Sequence, residues 1–230
     1  MALPEVPHSS SRGALAQHPD GDRPHPGMLI VFVGIDGCGK GTQIDLLKSR
    51  LTSEGLGDKL VFSKQPGGTP VGMEIRRILF ETVGSKNMSP LTYQHLCGVS
   101  HFEGCSAIIE PALQAGKIVI CDRWHPYCAP AYNDQYVPPP SIEPDVIVHL
   151  WGDPQVFLDR ALRRVPETHQ ATKPWNKMAV LGQIQDRYVK NLNRLAAYVP
   201  LRSDRGTPSF VAERLWVNSL QHLRSLHGSA

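Results

Sequence analysis

The run Gly34-Ile35-Asp36-Gly37-Cys38-Gly39-Lys40-Gly41-Thr42 combines glycine spacing and a lysine in the way a polyphosphate-binding loop demands. Glycines let backbone N–H groups turn inward around phosphate oxygens, where a Cβ would block approach. Lys40 then supplies a mobile cation for the β and γ phosphates. The usual hydroxyl residue after the lysine is replaced by Gly41, with Thr42 one place later. The loop follows an apolar run, residues 29–33, and opens a helix-like segment, residues 43–51. That strand–loop–helix context adds the partial positive charge of a helix N-terminus at the same point.

Three further constellations carry charge suited to phosphate chemistry. Asp122-Arg123-Trp124 follows an apolar run, and an acidic residue at a strand tip facing such a loop holds Mg²⁺ through water. The adjacent arginine offers a bidentate phosphate clamp. A second run ends in Ser63-Lys64-Gln65-Pro66-Gly67-Gly68-Thr69-Pro70, with Arg76 a short way on. The third group is Arg160, Arg163 and Arg164, with Lys173 and Lys177 beyond, placed where a lid closing over ATP would lie.

The elements that must position these residues alternate. Residues 29–33, 59–63, 117–121, 145–150 and 198–201 are short and mostly rich in β-branched residues, as strands buried on both faces are. Helical patterns occupy residues 43–52, 71–80, 93–115, 154–164, 178–197 and 210–226, with a proline-rich loop before the fourth strand. Ile184, Tyr188, Leu192 and Leu195 form one helical stripe. Such alternation predicts an α/β fold, a parallel sheet with helices on both faces and ligands at the carboxyl ends of the strands.

Length and composition bound the rest. The chain has 230 residues, 41% hydrophobic, with a net charge of +3. That suffices for one well-buried core. The cations are dispersed, so a nucleic-acid partner is not expected. Five cysteines without a CxxC pair read as reduced thiols of an intracellular protein, cytoplasmic or nuclear and not secreted. No apolar run approaches the roughly 18 residues of a membrane span. Residues 1–27 are rich in proline and poor in aliphatics, which predicts a disordered extension, with one folded domain over 28–230.

The segments GIDGCGKGTQ, KQPGGTPVGMEIRRIL, PALQAGKIVICDRW and EPDVIVHLWGDP resemble, in order, the successive motifs of thymidylate kinases. The likeness spans about residues 28 to 226, and the loop is also similar to that of adenylate kinases. The resemblance implies the P-loop kinase fold with a five-stranded parallel sheet. It also implies a homodimer, and transfer of the ATP γ-phosphate to a deoxynucleoside monophosphate with Mg²⁺. The ATP loop then comprises Gly34, Gly37, Cys38, Gly39, Lys40, Gly41 and Thr42. Asp36 matches a carboxylate that meets the sugar hydroxyl and orients Arg123. Arg76 and Arg123 match the two arginines on the acceptor phosphate, and Asp122 the Mg²⁺-side aspartate. Some members carry a catalytic arginine where Gly37 stands, so the transition-state cation is expected from the lid, Arg163 or Arg164.

Departures concentrate where the family reads the base. Gln65 replaces a glutamate, His101 an arginine on the pyrimidine, Cys97 a stacking phenylalanine and Cys128 a serine, while Asn133 stands nearest a polar base contact. Phe102 is the candidate to take over stacking. This combination implies a looser base pocket. Two other readings are a deoxynucleoside kinase, which needs no arginines for an acceptor phosphate, and a non-catalytic nucleotide-binding homologue. A GTPase is opposed by Asn176-Lys177-Met178-Ala179, which lacks the aspartate of a guanine-reading motif.

Overall fold

A computed structural model describes residues 25–83, 87–163 and 178–220. Five strands, β1 (Met28–Val33), β2 (Leu60–Lys64), β3 (Ile118–Asp122), β4 (Val146–Trp151) and β5 (Tyr198–Arg202), form one sheet in the order β2-β3-β1-β4-β5. All four pairings are parallel. β1 is buried at every residue because it is central and covered on both faces, and its unbroken apolar sequence follows from that. β2 lies at an edge and is only partly covered, with Phe62 exposed, so the expectation of burial on both faces fails there.

Among the described residues the α-helices are α1 (Lys40–Ser53), α2 (Pro70–Arg77), α3 (Pro90–Gly104), α4 (Glu110–Gln114), α5 (His125–Tyr132), α6 (Pro154–Arg163), α7 (Met178–Leu192) and α8 (Pro208–Leu215). The β1-to-β2 connection runs one way along the sheet and the other three run the opposite way. Right-handed crossovers therefore put α1 on one face and most other helices on the opposite face. α8, which follows the last strand and so belongs to no crossover, packs against α1 and joins it on that face. The direction reverses between β1 and β3, which opens a crevice at their carboxyl ends. The phosphate loop follows one of these strands and Arg123 the other.

Local chemistry sets the helix boundaries. Thr69 caps α2 by accepting the Gly72 N–H at 2.9 Å, and Ser89 caps α3 by accepting from Thr92 at 3.1 Å; each cap is followed by proline in the first turn. α3 runs through a π-helical turn, Cys105–Ile109, into α4, so the long helix expected from residue 93 is one rod with a single bulge. α5 was not expected, because Pro126 and Pro130 discourage a helix. Pro126 sits in its first turn and Pro130 in its interior. No helix among the described residues is long and apolar enough to cross a membrane.

Candidate active site

The loop between β1 and α1 builds one side of the crevice. Gly37 has φ +81°, and a Cβ there would lie 1.9 Å from the Phe157 carbonyl oxygen on α6. Only glycine fits, and an arginine at this position has no room. Lys40, itself buried, folds back on its loop and donates from Nζ to the Gly34 and Ile35 carbonyls, each at 3.0 Å. Cys38 is sealed beneath, 3.6 Å from Nζ, where burial raises its thiol pKa.

β3 delivers the opposite side. Arg123 occupies φ +75°, uncommon outside glycine, and is pinned by its N–H to the Phe32 carbonyl at 2.8 Å. Its guanidinium donates to Asp36 in an ion pair and reaches the Gly34 carbonyl at 3.5 Å. Burial opposes its charge, but Asp36 and neighbouring anion-forming groups outweigh that and raise its pKa further. Arg76 arrives from α2, held by the Pro66 carbonyl at 3.2 Å and by the face of Phe80, 5.1 Å from the ring centroid. Asp122 carries a buried Oδ1 with no hydrogen-bond partner among the described residues.

These groups meet in one cleft of about 370 Å³. From the loop after β1 it is lined by Asp36, Gly37, Gly39, Lys40 and Gly41; Gln65, Arg76, Asp122 and Arg123 also line it, as do Cys97 and Cys128. Gly34, Cys38 and Thr42 support the loop without lining the cleft. The family of cations is larger than the sequence suggested, because Lys64 also lines it, at the tip of β2 in register with Asp122. Partial burial first, then Arg76, lowers its ammonium pKa. A residue directly before Gln65 was open to recognition on strand position alone.

Other expected site residues stand elsewhere. His101 is 0% exposed and outside the cleft wall. Its Nδ1–H donates to the Gln65 carbonyl at 3.0 Å and its Nε2 accepts from the Ser141 hydroxyl at 2.6 Å. Burial, then His125, pulls its pKa down to about 3, so the ring is neutral. Gln65 also accepts the His125 N–H at 2.9 Å, which makes it a hub joining β2, α3 and α5. Asn133 ends α5 and caps a turn at Gln135 rather than lining the cleft. Phe102 is 40% exposed on the outer side of α3. Arg160 donates to the Ser203 carbonyl at 2.8 Å and the Asp204 carbonyl at 3.4 Å, a structural role. Arg163 is exposed at the end of α6, two residues after Ala161 of the cleft wall. Arg164, Lys173 and Lys177 lie outside the described residues.

Tyr93 and Gln94, one helical turn before Cys97, line the cleft, as do His125 and Tyr132. Sequence reasoning missed all four. The i−4 and i−3 spacing from Cys97 was the available signal for the first two.

The thymidylate kinase family model matches residues 32–199. A thymidylate kinase of Symbiobacterium thermophilum is 42% identical over 97 residues, covering 42% of this chain and 44% of that relative. One from Pelobacter propionicus is 36% identical over 152 residues, covering 60% and 68%. The match thus spans less than half the length of the first relative. Among solved structures, thymidylate kinase from Candida albicans superposes with a TM-score of 0.66 at 19% identity, covering 86% of this chain and 93% of that one. That from Ehrlichia chaffeensis gives 0.60 at 23%, covering 82% and 96%. These two likenesses speak for the P-loop kinase fold. With the family match extending from β1 into β5, the chain belongs to the thymidylate kinase family.

Proposed function

We propose that this chain transfers the γ-phosphate of ATP to the 5′-phosphate of thymidylate, or of a closely related deoxynucleoside monophosphate, and so serves deoxynucleotide synthesis. The observation that carries this reading is one cleft lined by Lys40 of the phosphate loop together with two further cations, Arg76 and Arg123. A nucleoside acceptor has no phosphate to engage the second pair, which disfavours a deoxynucleoside kinase.

Each residue then has a task. Arg123 and Arg76 clamp the acceptor phosphate, and Asp36 holds Arg123 in line while facing the sugar. The loop amides and Lys40 hold the donor phosphates. Mg²⁺, when bound, neutralises charge on the transferring phosphate. The site fits it, because Mg²⁺ is usually held by one or two carboxylates together with substrate phosphates and waters, and Asp122 offers a carboxylate oxygen without a partner. Because Gly37 admits no side chain, the transition-state cation comes from Arg163 or Arg164.

The reading extends to a homodimer. Leu91, Val99 and Phe102 are exposed apolar side chains within one stripe of α3, a face suited to a second copy. Sedimentation of the full chain tests this, with Phe102→Glu expected to shift a dimer to monomer.

The activity is tested by ADP release from ATP and Mg²⁺ across all deoxynucleosides and their monophosphates. Thymidylate or a related monophosphate is expected to support turnover and thymidine not. Turnover on thymidine alone would favour a nucleoside kinase.

A further inference from the structure

Every residue the family would use for the base has been changed or withdrawn. His101 is sealed behind Gln65 and Ser141, and Asn133 turns away. Cys97 is a neutral thiol whose pKa burial pushes up to about 12, and cysteines are weak hydrogen-bonding partners.

One turn earlier on α3, Gln94 is 5% exposed and lines the cleft; it makes no hydrogen bond with any described residue, and its amide atoms are open to the cleft rather than sealed in the core. A primary amide carries two donors and an acceptor, which a ligand in the cleft can engage. The phosphates are poor candidates, since Lys40, Arg76 and Arg123 supply cations for them. A neutral amide instead matches a neutral edge on which a donor stands beside an acceptor, as glutamine does toward adenine in nucleic-acid recognition. Tyr93, next to Gln94, lines the same cleft together with Cys97, Arg123 and Tyr132.

We propose that Gln94 hydrogen-bonds the Watson–Crick edge of the acceptor's pyrimidine and that Tyr93 forms the wall against which the base lies. Base selection thereby rests on residues 93–97, shifted one turn from positions 97–101. This assignment deepens the function proposed above and rests on it. It has a distinctive corollary. A guanidinium only donates, whereas an amide rotated by half a turn pairs equally with the N3–H and O4 of thymine or the N3 and N4–H of cytosine. Discrimination between those two bases is therefore weak.

The test is calorimetric binding to the full chain, using thymidylate, deoxycytidylate, N3-methylthymidylate and base-free 2-deoxyribose 5-phosphate. The native protein is expected to bind thymidylate at least about tenfold more tightly than the sugar phosphate, the order of one good polar contact. N3-methylation should remove most of that difference without any mutation. Gln94→Met should remove it for thymidylate and deoxycytidylate alike, while leaving ATP and sugar-phosphate affinity within about twofold. Unchanged thymidylate binding by Gln94→Met, or an equal loss for sugar phosphate, overturns the assignment. Equal binding of thymidylate and sugar phosphate by the native protein also overturns it, while leaving the phosphate-acceptor reading standing. No binding of any monophosphate would instead remove the proposed function itself.

Discussion

The carbonyl of Phe157 on α6 stands where a side chain at Gly37 would begin. Helix α6 is thus packed directly onto the phosphate loop, with Ala161 of that helix in the cleft wall. Gly37→Ala is expected to lower unfolding stability by about 2 kcal/mol or more, from φ +81° and from displacing α6. Urea denaturation measures this, and phosphate transfer should fall with it.

Lys40→Ala and Arg123→Ala should each reduce phosphate transfer by on the order of a hundredfold or more, with the fold retained by circular dichroism. Under the proposed function both cations would face the charge that spreads over the transferring phosphate. Near-native turnover in either purified variant would contradict the roles assigned to them.

Arg160 and Arg163 should separate cleanly. Arg160→Ala removes donors to two carbonyls after β5 and is expected to cost about 1–2 kcal/mol of stability. Arg163→Ala is expected to leave the melting temperature alone and to lower kcat, unless Arg164 carries the role alone. The double variant at 163 and 164 must lose rate on either assignment.

Stability should decline on acidification well before the carboxylates protonate. Burial holds His101 and His149 down at about 3 and His125 at about 4, from an ordinary value of 6.5. Below about pH 6.5 the unfolded chain takes up protons that the folded one refuses. Their contribution is therefore complete above that pH and is lost as pH falls through about 4 for His125 and about 3 for His101 and His149. Each histidine removes up to about 1.4 kcal/mol per pH unit in that window. The urea midpoint should drop between pH 7.5 and 5, and a flat profile would exclude three buried neutral rings.

Much of the site was readable because its signals are local. The glycine and lysine spacing of 34–42 and the acidic-arginine pair at 122–123 lie within single strand-to-loop turns. The base end was not readable, for physical reasons that differ by residue. His101 is satisfied by Gln65 and Ser141, which are 36 and 40 positions distant, so no local pattern betrays its sealing. Phe102 looked like a stacking ring, but its direction on α3 takes it outward. α5 was hidden by two prolines: Pro126 is tolerated in the first turn, and the interior Pro130 is accommodated where α5 packs against α7 and α3. The edge position of β2 is a property of strand order, which no single strand encodes.

Lys40 Nζ rests on the carbonyls of Gly34 and Ile35. Part of the ammonium's donor capacity is thereby spent inside its own loop, so under the proposed function a triphosphate would take Lys40 over by exchanging acceptors rather than by meeting a free cation. An arginine at position 40, with its longer planar head, would not make the same pair of contacts in the same space.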